Sequence, residues 1–430
     1  MELIRRIATP GLMFLYLYTL TFDIFMTNVI RLPSPLVFVL PLIFLNAAGD
    51  SKFRYTRELI AVYISSFFFF LLGQEQIKPF FVNAIIITLC AIYFNYFIGN
   101  SRERLKLSVW IFYGLLAFSA IIMLLNHVYG TKIDYIRSKL VGEIVMQSPS
   151  GIAPFIFNFG YQLTTLVSFL MVSAIAFRKH LLIQVGAFAI CILLILYGMN
   201  RSVLIGFAVS AGLFALLFYR IKFALIFAGL IGLGVYFNSS IEGLSANRQQ
   251  NILSKQERKA DENRDDLMIE NLKIIGDYPF GLMVYGKSWN QVARYNPTFQ
   301  REVGLVTSHN AYLMFVTYLG ILPGLTLLIL LYFKVGKIFL GAIRHIKKKE
   351  NALLLSLCFS FIAAAINSCF HNDWFLGGNG PTVFLYFCII QLARIQTKTA
   401  EAKVEVSERS SSAHSTNYNS VHLPKTSTFY

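Results

Sequence analysis

LLIQVGAFAICILLILYGMNRSVLIGFAVSAGLFALLFY, residues 181–219, decides the fold. It holds two apolar runs, 181–199 and 203–219, with Arg201 as its one charged residue. Each run approaches the roughly 20 residues that a helix needs to cross about 30 Å of hydrocarbon. The join between them, Met199-Asn200-Arg201, puts a guanidinium at a membrane edge. An arginine there is costly unless it faces protein, water, a headgroup or a charged ligand.

The same reading extends along the chain. Hydrophobic residues make up 56% of the 430 and charged residues 14%, with 40 Phe and 22 Tyr. A soluble domain carries about 25% charge to cover its surface, so a water-soluble globule is excluded. Runs of spanning or near-spanning length fall at 11–30, 35–49, 59–73, 80–99, 108–126, 156–177, 181–199, 203–219, 223–237, 311–332, 352–368 and 381–395. The expectation is an all-α polytopic membrane protein of about twelve transmembrane helices, both termini on one side. The N-terminus and short loops on that side carry eighteen basic residues, among them Arg5, Arg6, Lys52, Arg54, Arg57, Arg102, Arg178, Lys179, Lys347, Lys348 and Lys349, against six in the short loops opposite. The positive-inside rule makes that side cytoplasmic and explains the net charge of +16 without a nucleic-acid partner.

Four segments follow: helices one to nine over 1–237, a large external loop over 238–310, helices ten to twelve over 311–395, and a Ser/Thr-rich tail over 396–430 expected to be disordered. A smaller external loop spans 127–155. The five cysteines sit singly in or beside apolar runs and form no metal spacing, as small buried hydrophobes do. The histidines show no HxxxH or HExxH spacing, so no zinc site is expected.

Chemistry concentrates at the external side. Residues 257–278 read as an amphipathic helix, with Leu267, Met268, Leu272, Ile274, Ile275 and Tyr278 on one face and Asp265, Asp266, Glu270, Lys273 and Asp277 on the other. Arg264 falls on the apolar side, either snorkelling or pairing with Asp261, or held to grip an anion. The loop closes on Thr307-Ser308-His309-Asn310. Ser308 reads as the N-cap, which puts His309 in the first turn, where the positive helix end favours a neutral imidazole. Asp23, inside the first run, and His371-Asn372-Asp373, in the turn before the last, are further polar candidates.

GMNRSVLIG (198–206), NRDDLMIENLKIIGDYPFG (263–281) and SHNAYLMFVTYLGILPG (308–324) together resemble the O-antigen ligase/polymerase superfamily of bacterial envelope glycosyltransferases. The resemblance covers about residues 190–330. His309-Asn310 stands at the family's spacing from Gly320, although Pro323 replaces the ligase pattern's Gly, Thr or Tyr. The resemblance implies metal- and cofactor-independent transfer of a glycan from an undecaprenyl-diphosphate carrier, at the periplasmic face of the bacterial inner membrane. The acceptor would be lipid A–core for a ligase or a second lipid-linked glycan for a polymerase. In that resemblance Arg201 and Arg264 resemble the diphosphate-binding arginines and His309 the essential histidine; beside it, Asn310 and His371 are read as candidate substrate-binding residues. The rival reading is a lipid-linked glycan flippase or another polytopic transporter. That function needs charged residues along a central cavity, whereas the suspicious residues here gather at one face.

Overall fold

A computed structural model of the chain describes residues 2–26, 32–46, 52–74, 76–130, 132–220, 264–293, 308–371 and 380–418. Among these residues every regular element is helical, and the sole β feature is an isolated bridge between Met26 and Pro33. The α-helices are α1 (Glu2–Thr21), α2 (Ser34–Asn46), α3 (Thr56–Ser66), α4 (Ile77–Ile92), α5 (Arg102–Tyr129), α6 (Lys132–Val141), α7 (Ile156–Ala176), α8 (Leu181–Tyr197), α9 (Arg201–Tyr219), α10 (Arg264–Asp277), α11 (Trp289–Ala293), α12 (Ala311–Leu319), α13 (Ile321–Arg344), α14 (Ala352–Asn367) and α15 (Gly380–Tyr418). The ends of α3 and α4 widen into π-helical turns at Phe67–Gly73 and Tyr93–Ile98.

Seven helical stretches among the described residues are long and apolar enough to cross a membrane: α3 and α4 with their π turns, α5, α7, α9, α13, and α14 with its flanking 3-10 turns. The helices Ser34–Leu45 and Leu181–Tyr197 are apolar but shorter. The run at 223–237 and much of the large loop lie outside the described residues.

The bundle is built round α14, which packs mainly on α7 and α9. Apolar packing alone gives little preference between helices when lipid is the alternative neighbour, so small residues and hydroxyl bridges do the selecting. Here Ser360 Oγ donates to the Thr165 carbonyl at 2.7 Å, Tyr113 OH to Ser360 Oγ at 2.9 Å, and Ser210 Oγ to Ser168 Oγ at 2.9 Å. Four of the five cysteines are buried and all five are free thiols.

Three expectations are corrected. The run at 311–332 is not one helix. It breaks at Gly320, whose φ is +92°, into the short α12 and the long α13. A Cβ on Gly320 would lie 2.5 Å from the Phe280 carbonyl carbon, and one on Gly281 2.3 Å from the Gly320 nitrogen. Two backbones cross there, and only glycine at both positions allows it. The second correction concerns the last helix, which runs on to Tyr418 rather than ending at 395. Residues 400–406, AEAKVEV, are mostly good helix formers and carry the helix past the apolar run.

The third is the register of α10. Its buried side chains are Leu267, Glu270, Asn271 and Ile274, whereas Met268, Ile269 and Leu272 are exposed. A full helical pattern with two faces was expected. Hydrogen bonding explains the rotation: buried Asn271 accepts at Oδ1 from Trp289 Nε1 and from Thr317 Oγ1, both at 2.8 Å. Turning that amide inward carries its neighbours out.

Candidate functional site

Arg201 is the first residue of α9 and is exposed. Asn200 is the N-cap, its side chain accepting from the Ser202 amide at 3.2 Å. The chain reaches this cap through Met199 in a left-handed conformation, φ +51°. Asn200 itself fits because α7 offers a glycine: a Cβ on Gly160 would lie 2.3 Å from Asn200 Nδ2.

Behind Arg201 is a buried polar knot. Ser202 Oγ lies 2.6 Å from Asn200 Oδ1, 2.5 Å from Asn367 Oδ1 and 3.2 Å from His371 Nε2. A hydroxyl has one proton to give. Given to an asparagine carbonyl, it leaves Oγ to accept from His371 Nε2–H, which sets that ring's tautomer. His371 is buried, with the Phe157 and Tyr161 rings 6.0 and 5.7 Å away. Tyr161 OH donates to Ser368 Oγ at 3.1 Å. The structure therefore brings His371 to Arg201 through Ser202. Asn372 and Asp373 lie outside the described residues.

His309 is not in the first turn of α12. Asn310 is the N-cap, its Oδ1 accepting from the amides of Tyr312 and Leu313 at 3.1 and 3.0 Å. Ser308, the expected cap, instead donates to the Asn310 carbonyl at 3.4 Å. Asparagine caps at least as well as serine, and one residue further on it reaches two amides. His309 then precedes the cap with φ +50°. A left-handed non-glycine residue costs about 1–2 kcal/mol, which a cap of about 1 kcal/mol largely offsets. The same device, a left-handed residue then an asparagine cap, starts both α9 and α12.

The start of α12 meets the 3-10 turn Ser368–Phe370 that leads to His371. Tyr312 OH donates to the Ala365 carbonyl at 3.0 Å and lies 2.9 Å from Tyr332 OH. His309, Asn310, His371 and Arg201 thus surround one end of α14.

Arg264 is the first residue of α10, which packs against α12. Leu282 and Met283 amides donate to the Thr317 and Tyr318 carbonyls, and the Ile321 amide to the Pro279 carbonyl. The C-terminal ends of α10 and α12 are therefore together. Asn271 pairs with Thr317, so the two helices run in the same direction.

Directly below the Tyr312–Tyr332 pair lies a groove of about 290 Å³ between α13 and α14. Its walls include Val335, Phe339, Phe361 and Ile362, and its polar side chains are those two tyrosines and the thiols of Cys358 and Cys369.

The remaining candidates have structural work. Asp23 Oδ1 accepts from the Gly380 amide at 2.7 Å, which serves the start of α15. Sequence reasoning missed Ser202, Asn367, Tyr161 and Tyr312, whose signal was a polar group inside an apolar run. It also missed Arg137, in the 127–155 segment. That guanidinium is fully buried and donates to the Gly151 carbonyl at 2.6 Å, Ser148 Oγ at 2.6 Å, Asp134 Oδ1 at 2.7 Å and Ser150 Oγ. Burial pulls it below its ordinary pKa while Asp134 opposes the shift. Its donors are spent on the chain itself, so it organises this segment rather than a ligand.

The chain matches no protein-family model and no curated protein.

Proposed function

We propose that the chain is a membrane glycosyltransferase that moves a glycan from an undecaprenyl-diphosphate carrier to an acceptor hydroxyl, as an O-antigen ligase or polymerase does. The observation that carries this reading is the stacking of two unlike surfaces. Ser202, next to Arg201, meets Asn367 and His371 at one end of α14, the helix that follows His309 packs on the turn there, and an apolar groove begins beneath them. A lipid diphosphate has those two halves, an anionic head and a hydrocarbon tail.

In this reading Arg201 and Arg264 hold the diphosphate oxygens in bidentate fashion. The acceptor oxygen attacks the anomeric carbon from the side opposite the diphosphate and gives its proton to the imidazole of His309. The anomeric C–O bond breaks, the diphosphate leaves with both electrons, and the guanidinium groups stabilise the charge it gains. The new glycoside has inverted configuration. Asn310 sets the backbone on which His309 stands, and His371 braces the start of α9.

The test is reconstitution of the full chain in vesicles with a polyprenyl-diphosphate oligosaccharide and either lipid A–core or excess donor as acceptor. The expected result is a new glycoside and released polyprenyl diphosphate. Donor that crosses the bilayer intact, with no glycoside formed, establishes the flippase reading instead.

A further inference from the structure

The segment 264–285 was expected to stand outside the membrane, as part of a large external loop. Its packing on α12 sets it level with the first turns of α13. At Gly320 the chain doubles back: a Cβ on Gly324 would lie 3.1 Å from the Val316 Cα, and Tyr312 OH reaches Tyr332 OH at 2.9 Å. α12 therefore lies antiparallel to α13 over residues 320–332, about 18 Å of helix. α10 runs parallel to α12, joined to it by Asn271–Thr317 and by the 279–283 backbone bonds. So α10 occupies the same depth as the first turns of α13.

Those turns expose Leu322 at 77% and Ile329 at 64%, on a helix of membrane-spanning length. At that depth α10 has three sides. Leu267, Glu270, Asn271 and Ile274 are buried; Asp266, Lys273 and Asp277 are exposed and charged; Met268, Ile269 and Leu272 are exposed and apolar. At about 100° per residue the apolar and charged exposed sectors are distinct. Phe280 and Val284, in the turn that crosses Gly320, are also exposed, at 66% and 64%, and extend the apolar sector toward Leu322. An amphipathic helix lying in a lipid interface has this division, with the apolar side in the acyl boundary and charges toward water.

We propose that Met268, Ile269, Leu272, Phe280 and Val284 form a lipid-embedded face, so that α10 and the following turn are an interfacial element of the leaflet nearest the Arg201–His371 end of the bundle. The occupant of this face is phospholipid, because the face continues the exposed apolar surface of α13 at equal depth.

The test uses the full chain in phosphatidylethanolamine/phosphatidylglycerol vesicles with a nitroxide on Ile269→Cys, Leu272→Cys or Lys273→Cys; wild-type chain labelled in the same way supplies the background. Labels at 269 and 272 should relax several-fold more with oxygen than with a water-soluble nickel chelate, and the label at 273 should show the reverse preference. If 269 and 272 prefer the nickel chelate as 273 does, the face is in water and the proposal fails. Protection of 269 and 272 from both reagents means that protein covers the face, which overturns it equally. The readout is independent of glycan transfer, so it stands or falls apart from the enzymatic reading.

Discussion

His371 Nε2 lies 3.2 Å from Ser202 Oγ, which ties a buried imidazole to the residue that follows Arg201 in α9. The same hydroxyl also serves Asn200 and Asn367, so one serine couples the start of α9 to the end of α14 and to the 3-10 turn that follows it. Ser202→Ala should cost about 1–3 kcal/mol, the penalty for stranding buried polar groups. A lowered midpoint in thermal unfolding of the detergent-solubilised chain checks this. Ser202→Thr, which keeps the hydroxyl, should lose less.

The groups assigned to the proposed transfer give separable outcomes. His309→Ala should lower the transfer rate by about 10²–10⁴-fold without changing membrane insertion. Arg264→Lys keeps the charge but loses the planar fork, and a loss on the order of 10²-fold is expected. Initial rates with a lipid-linked donor measure both, and EDTA should leave wild-type rates unchanged.

Gly320→Ala tests the crossing of the two backbones. The added methyl meets the Phe280 carbonyl carbon at 2.5 Å, and alanine is poorly suited to a φ of +92°. The loss should exceed about 1 kcal/mol and be larger than that of Gly336→Ala, whose Cβ would meet nothing within 4 Å. Comparing the two unfolding midpoints decides the matter.

Arg137→Lys should destabilise the 127–155 segment although it preserves charge. Lysine offers three donors from one atom and cannot reach the Gly151 carbonyl, Ser148, Ser150 and Asp134 together. Limited proteolysis should cut within 142–153 faster in the variant than in wild type.

Lys334 pairs with Glu58, tying α13 to α3. Glu58 is buried while the Lys334 side chain is 45% exposed. Lys334→Met should therefore cost about 1–2 kcal/mol, less than a fully buried pair. Adding Glu58→Gln should recover most of the loss, as a double-mutant cycle of unfolding midpoints would show.

Much of the architecture could be read from hydropathy, because spanning length and apolar content are local properties. The runs beginning near 59, 80, 108, 156, 203 and 352 each contain or overlap a membrane-length helix. The break at Gly320 was visible in the letters GILPG but was overruled by the apolar run on both sides. Depth was not legible: whether a polar loop segment stands clear of the bundle or lies against it depends on contacts such as Asn271–Thr317, made between residues far apart in the chain. For the same reason the rotation of α10 was misjudged, since a buried amide outweighed three apolar side chains. Arg201, Arg264 and His309 stood out because charge near hydrocarbon is rare. Ser202 and Asn367 did not, since a single small polar residue in an apolar run is common.

The groove between α13 and α14 has one further consequence. Its walls are apolar and it sits among membrane-length helices, so under the proposed function a lipid donor would reach it sideways without crossing water. The quantity that would govern the proposed turnover is then the mole fraction of donor within the bilayer. Adding empty carrier lipid to the same vesicles should slow the reaction, whereas diluting the suspension with buffer should leave the rate per enzyme unaltered.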